Sequence, residues 1–168
     1  MDINRLLELV GKLIEQSGEA MDVITSELAW EKWFQCNLYA WVRLNNVDVY
    51  CEACMDDSQS SAGLRPDFMI LDNTGQTVTL MELKCASPNM PGKKAITGFF
   101  ADMGKLETAF APYNKLCILV IPSVKFQNCG QFLDSMLKKK GNSVWNFGHN
   151  SYNEKYKIII AYTGAIGN

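Results

Sequence analysis

Apolar positions along the chain recur first at helical and then at strand spacing. Ile3, Leu6, Leu7, Leu9, Val10, Leu13 and Ile14 share one broad stripe. This predicts a helix over Asp2–Ser17, ended by Gly18. A second stripe, Leu28, Trp30, Trp33, Phe34, Leu38, Trp41 and Val42, predicts a helix from about Ser26 to Arg43, capped by Thr25 or Ser26. Asn45-Asn46 breaks that pattern, and Val47–Cys54 reads as a strand. After the polar, small-residue loop Asp56–Leu64 comes a short strand, Phe68–Leu71. A turn at Asn73–Gly75 then leads into a second strand, Thr77–Lys84. Pro88–Gly92 is a loop and Lys93–Phe110 a helix. Leu116–Ile121 is apolar throughout, as suits a strand buried on both faces. A helix near Gln131–Lys139 and a strand at Lys157–Tyr162 complete the order α-α-β-β-β-α-β-α-β. Helices should cover both faces of a mixed sheet, giving an α/β domain. Trp145, Phe147 and His149 alternate like an exposed strand or loop. The helical spacing of Trp30, Trp33 and Trp41 points to core packing rather than to a base-stacking platform.

The 168 residues, 48% hydrophobic and 11% aromatic, fit one domain with a substantial core. No apolar run reaches the ~18–20 residues of a membrane span, and no basic-then-apolar leader pattern opens the chain. The expectation is therefore a soluble cytoplasmic protein with no membrane partner. Six cysteines would then be reduced, with Cys36, Cys51, Cys85 and Cys117 acting as small hydrophobes. Cys51 and Cys54 form a lone CxxC, and His149 is the single histidine, so a zinc site is poorly supplied.

Charge is distributed unevenly. Residues 1–83 hold 14 Asp/Glu and 5 Lys/Arg, whereas residues 84–168 hold 11 Lys and 4 Asp/Glu. The halves, -9 and +7, recover the net charge of -2. Such asymmetry can set a carboxylate-rich site beside a lysine-rich surface, or simply interleave in space. Lys138, Lys139 and Lys140 read as a solvated helix end.

The chemistry lies in Arg65-Pro66-Asp67 and, after the hairpin, in Glu82-Leu83-Lys84. Alternation along the second strand puts Glu82 and Lys84 on one face, with Met81 and Leu83 on the apolar one. Pairing around the turn brings Asp67 toward Glu82 and Lys84. Two carboxylates with waters can hold Mg²⁺, which prefers hard oxygen ligands. A lysine beside them can orient a water and stabilise developing charge. The competing reading makes Glu82 and Lys84 a solvent-facing ion pair and Asp67 a turn residue.

Pro66-Asp67 followed by Glu82-Leu83-Lys84 resembles the PD-(D/E)XK nuclease superfamily. So do Glu31 on the preceding helix, the serine-containing loop Ser58–Ser61, and the following helix with Asp102 and Lys105-Leu106. The resemblance implies a restriction-endonuclease-like αβββαβ core over about residues 26–121, within a single domain spanning 1–168. Helix 2–17 and segment 122–168 are additions to that core. It implies Asp67, Glu82, the Leu83 backbone carbonyl and Glu31 as metal ligands, with Asp67, Glu82, Lys84 and Glu31 as the catalytic set. Glu27 competes with Glu31 for the helix position, and Gln35 lies one turn beyond it. The implied activity is Mg²⁺- or Mn²⁺-dependent phosphodiester hydrolysis, with nucleic acid as partner, DNA before RNA, and room for a homodimer or a protein partner. Exonuclease branches carry a Gln-x-x-x-Tyr element after the lysine; none follows Lys84, and the spacing is closer to small Holliday-junction resolvases and stand-alone endonucleases. The alternative from another class is a non-catalytic nucleic-acid- or protein-binding module of the same fold. The acidic pI of about 5.4 keeps that alternative open, because DNA affinity rests on neutralising phosphates.

Overall fold

The computed structural model describes residues 3–16, 30–51, 65–71, 74–87, 89–108, 113–140, 144–152 and 155–163. Helices α1 (Ile3–Gln16) and α2 (Trp30–Leu44) precede β1 (Val49–Cys51), β2 (Phe68–Leu71) and β3 (Thr77–Cys85). Then come α3 (Gly92–Thr108), β4 (Asn114–Pro122), the short α4 (Ser123–Gln127) and α5 (Gly130–Lys140). The last strands are β5 (Asn146–Tyr152) and β6 (Tyr156–Tyr162). The six strands form one mixed sheet in the order β1-β2-β3-β4-β6-β5. Only β3 and β4 run parallel, joined by α3; every other neighbour is antiparallel.

Two apolar layers sandwich this sheet, as the binary pattern requires. On one face Leu9, Val10, Leu13 and Ile14 of α1 join Trp30, Phe34, Leu38 and Val42 of α2. They pack onto Phe68, Met81, Leu83, Leu116, Ile118 and Val120. On the other face Ala95, Ile96, Phe99, Phe100, Met103 and Leu106 of α3 cover Met69, Leu80, Cys117, Leu119 and Ile121. Strand β4 thus buries successive side chains on alternate faces, the reason its sequence is apolar without interruption. Trp30 is buried, and Trp33 and Trp41 pack against the same cluster, so the tryptophans are core.

The turn into β3 needs Gly75, whose φ of 79° few other residues adopt. Asn46 ends the α2 region at φ 59°, a left-handed position asparagine tolerates.

Three expectations are corrected. Trp145 and Phe147 are not an exposed alternation. Trp145 is buried, and Phe147 packs on Phe100 with ring centroids 6.3 Å apart, because β5 pairs with β6 and turns these residues toward α3. Residues 146–152 form a strand where strand or loop stood open, and Ser123–Gln127 adds a helix that local periodicity did not mark. Cys36 is exposed on α2, not packed as a small hydrophobe. Cys51, Cys85, Cys117 and Cys129 are free thiols, while Cys54 lies outside the described residues. So do Gly18, Thr25, Ser26, Glu27 and the loop Ser58–Ser61. No helix among the described residues is long and apolar enough to cross a membrane.

Candidate active site at the uncovered edge of β3

Strand β2 is four residues long, and its pairing with β3 begins at Phe68 opposite Met81. Beyond Met81, the side of β3 that faces β2 carries backbone N–H groups with no partner strand among the described residues. Side chains take over there. The Leu83 N–H donates to Asp67 Oδ2 at 2.7 Å, and the Cys85 N–H donates to Glu31 Oε2 at 2.8 Å. Two carboxylates from distant segments thus continue the ladder that β2 leaves unfinished. In a strand a residue's N–H and C=O point to the same side, so the Leu83 carbonyl also faces this edge.

The register β2 sets places Asp67, one residue before Phe68, opposite Glu82. Gln35, one turn after Glu31 on α2, donates to Asp67 Oδ1 at 2.7 Å. Glu82 points into the α3 side of the sheet and is only 6% exposed. Its Oε1 is buried with no hydrogen-bond partner, although the carboxyl lies within hydrogen-bonding reach of Asp67. Burial first, then the Asp67 charge beside it, raises the Glu82 carboxyl from its ordinary 4.5 to about 8. Lys105 pulls in the opposite direction, and the Asp102 charge adds to the rise. Near neutral pH the fold therefore favours the protonated form of this carboxyl.

Lys84 shares its face with Glu82, yet its Nζ pairs with Glu31 Oε1 at 3.3 Å. Its stem runs past Gly98 of α3, where an added Cβ would sit 3.5 Å from Lys84 Cε. The predicted residues thus form two adjoining groups along residues 82–85 of β3. One holds Asp67, Glu82 and Gln35; the other holds Glu31, Lys84 and the Cys85 N–H.

Helix α3 supplies what the Asp67–Glu82–Lys84 pattern did not assign a role. Buried Asp102 accepts from Lys105 Nζ at 2.8 Å. That bond chiefly pushes the Lys105 ammonium above its ordinary range, against its partial burial, with Glu82 and Asp67 adding to the effect. A second ammonium therefore faces the carboxylate pair. The i, i+3 spacing of Asp102 and Lys105 was visible, but only the packing of α3 on β3 aims them at Glu82.

Comparison with protein-family models, curated proteins and solved structures finds no match to this chain. The site must be read from its own chemistry.

Its oxygens suit a hard cation. Among the described residues no three His, Cys, Asp or Glu side chains group as metal ligands. A cation held by Asp67, Glu82 and the Leu83 carbonyl would complete its shell with water, as Mg²⁺ commonly does. The partnerless Glu82 oxygen beside a second carboxylate is the feature that such an ion would satisfy. The nearby thiols are not competing ligands. Burial, then the charges of Glu31 at Cys85 and of Glu82 at Cys117, raises both well above the ordinary thiol range.

Proposed function

We propose that this chain is a Mg²⁺- or Mn²⁺-dependent phosphodiester hydrolase, most simply a DNA endonuclease on a restriction-endonuclease-like core of the PD-(D/E)XK type. The observation that carries the reading is the buried, partnerless Glu82 oxygen against Asp67 at the uncovered end of β3. When bound, a divalent cation lowers the pKa of its water and neutralises charge on phosphoryl oxygens. Asp67 and Glu82, with the Leu83 carbonyl, are the residues to hold it. Gln35 and the Leu83 N–H fix the Asp67 carboxylate in place. Lys84, steadied by Glu31, is the ammonium available to orient a water and to meet developing negative charge. Lys105, anchored on Asp102, limits repulsion between the two carboxylates.

One observation favours a second reading. Asp67 and Glu31 already serve the β3 backbone, so the carboxylates can be structural in a non-catalytic binding module.

The two readings separate in one experiment. Protein and its Glu82→Ala variant are incubated with supercoiled plasmid, linear duplex, single-stranded DNA and RNA, with Mn²⁺ or with EDTA. The hydrolase cleaves at least one substrate only with metal and only with Glu82 intact. A binding module cleaves none and shows no Mn²⁺ heat by calorimetry at neutral pH.

A further inference from the structure

The positive half of the chain is not spread evenly over the molecule. Strands β3 and β4 are parallel, so their C-terminal ends lie on one edge of the sheet, the edge that carries Glu82–Cys85. Pro122 at the end of β4 pairs with Tyr156 at the start of β6, and the Ser123 N–H donates to the Lys155 carbonyl at 2.7 Å. Lys155 and Lys157 therefore stand on this edge. Lys157 Nζ lies 4.4 Å from the centroid of the Phe126 ring on α4. Helix α3 starts on the same edge, and its Gly92 sits so close to α4 that a Cβ there would be 2.9 Å from the Lys125 carbonyl. Lys93 and Lys94 follow at once, and Lys93 Nζ lies 5.8 Å from the Phe132 ring centroid.

Five lysines from three segments thus follow the C-terminal ends of β3 and β4. Among the described residues no carboxylate pairs with Lys93, Lys94, Lys125 or Lys157; the salt-bridged carboxylates of this half, Asp102 and Glu107, serve Lys105 and Lys140. Lys93 and Lys94 also occupy the first turn of α3, which has no acidic residue. Cations there oppose the helix dipole, so stability does not account for them.

We infer that Lys93, Lys94, Lys125, Lys155 and Lys157 form a track for the phosphate backbone of a nucleic acid, leading along this edge toward Asp67 and Glu82. The direction of the track rests on the hydrolase reading; the track itself does not. From β3 to β6 is two strand spacings, roughly 10 Å. That matches about three nucleotides of one duplex strand at ~3.4 Å rise each.

The test is fluorescence anisotropy of labelled duplex DNA, single-stranded DNA and RNA in EDTA, where metal-dependent cleavage is silent. It compares the wild type with Lys93→Gln/Lys94→Gln, with Lys125→Gln, and with Lys138→Gln/Lys139→Gln. The last pair lies at the far end of α5, where Lys140 meets Glu107. Lys93 and Lys94 are exposed, and their neutralisation relieves the dipole, so that variant should unfold no more easily than the wild type. The expected result is a loss on the order of tenfold for Lys93→Gln/Lys94→Gln at low salt, with the log–log salt slope shallower by about 2. Lys125→Gln should shallow the slope by about 1, and the far-end pair should change neither quantity. Wild-type affinity in both track variants, or an equal loss in the far-end pair, overturns the inference. So does a wild type that binds no nucleic acid at low salt, or that binds only anionic phosphatidylserine vesicles. Track-dependent binding without cleavage under any metal upholds the track and defeats the hydrolase reading.

Discussion

Replacing Glu82 by Gln should make the metal-free protein more stable at alkaline pH, and the size of the effect follows from the site. The Glu82 carboxyl is 6% exposed beside Asp67, and it loses its proton near pH 8 in the fold against 4.5 ordinarily. The folded state thus holds the proton more tightly than the unfolded state. Its contribution to stability is complete below about pH 4.5 and is lost as pH rises through about 8. At ~1.36 kcal/mol per pH unit, the full difference is roughly 5 kcal/mol, a large share of the ~5–15 kcal/mol that holds a domain folded. Glutamine keeps the shape and carries no charge, so its stability should not fall for this reason. Urea unfolding in EDTA at half-unit steps from pH 5 to 9 measures both proteins. Their curves should nearly coincide at pH 5 and diverge by several kcal/mol at pH 9, with the wild type the weaker. Groups that titrate in both cancel in the difference. Millimolar Mn²⁺ should return much of the lost stability to the wild type at pH 8 and little to Glu82→Gln. Parallel curves across the whole range would refute the account of Glu82 as a buried carboxyl held against Asp67.

Other consequences can be measured directly. Glu31→Ala leaves the Cys85 N–H without its carboxylate and should destabilise the fold by about 1–3 kcal/mol in urea unfolding. Ile118→Ala, in a strand buried on both faces, should remove about 2–5 kcal/mol while leaving Mn²⁺ binding by calorimetry unchanged. Gly98→Ala should be tolerated, since its Cβ meets the Lys84 stem at 3.5 Å, whereas Gly98→Leu should displace Lys84 and depress cleavage more than stability. Exposed Cys36 should react with a thiol reagent in the native state, and buried Cys85 and Cys117 only on unfolding, as timed labelling with mass spectrometry would show.

Much of this molecule follows from the order of its residues alone. Period 3.6 marked α1 and α2, and the unbroken apolar run of β4 announced a strand covered on both sides, because each element must bury its own apolar face whatever surrounds it. Alternation in β3 and the turn at Gly75 brought Asp67 toward Glu82, but the irregularity between Ile70 and Leu71 sets the two directly opposite, since an unbroken register from Leu71 opposite Thr77 would put Asp67 against Met81. Strand β5 was left open between strand and loop because Asn146, Gly148, Asn150 and Ser151 dilute its apolar signal; pairing with β6 makes it a strand. The roles of Glu31, Gln35, Asp102 and Lys105 depend on where α2 and α3 dock against the sheet. That docking is a balance of packing between segments far apart in the chain, and no local period records it. A short β2 was legible, but only tertiary structure decided that carboxylates from other segments would complete the end of β3 it leaves, and that Lys125, Lys155 and Lys157 would follow the same end of the sheet. The parallel course of β3 and β4 brings the latter about, because it carries their C-terminal ends, and the segments that follow them, to one side of the sheet.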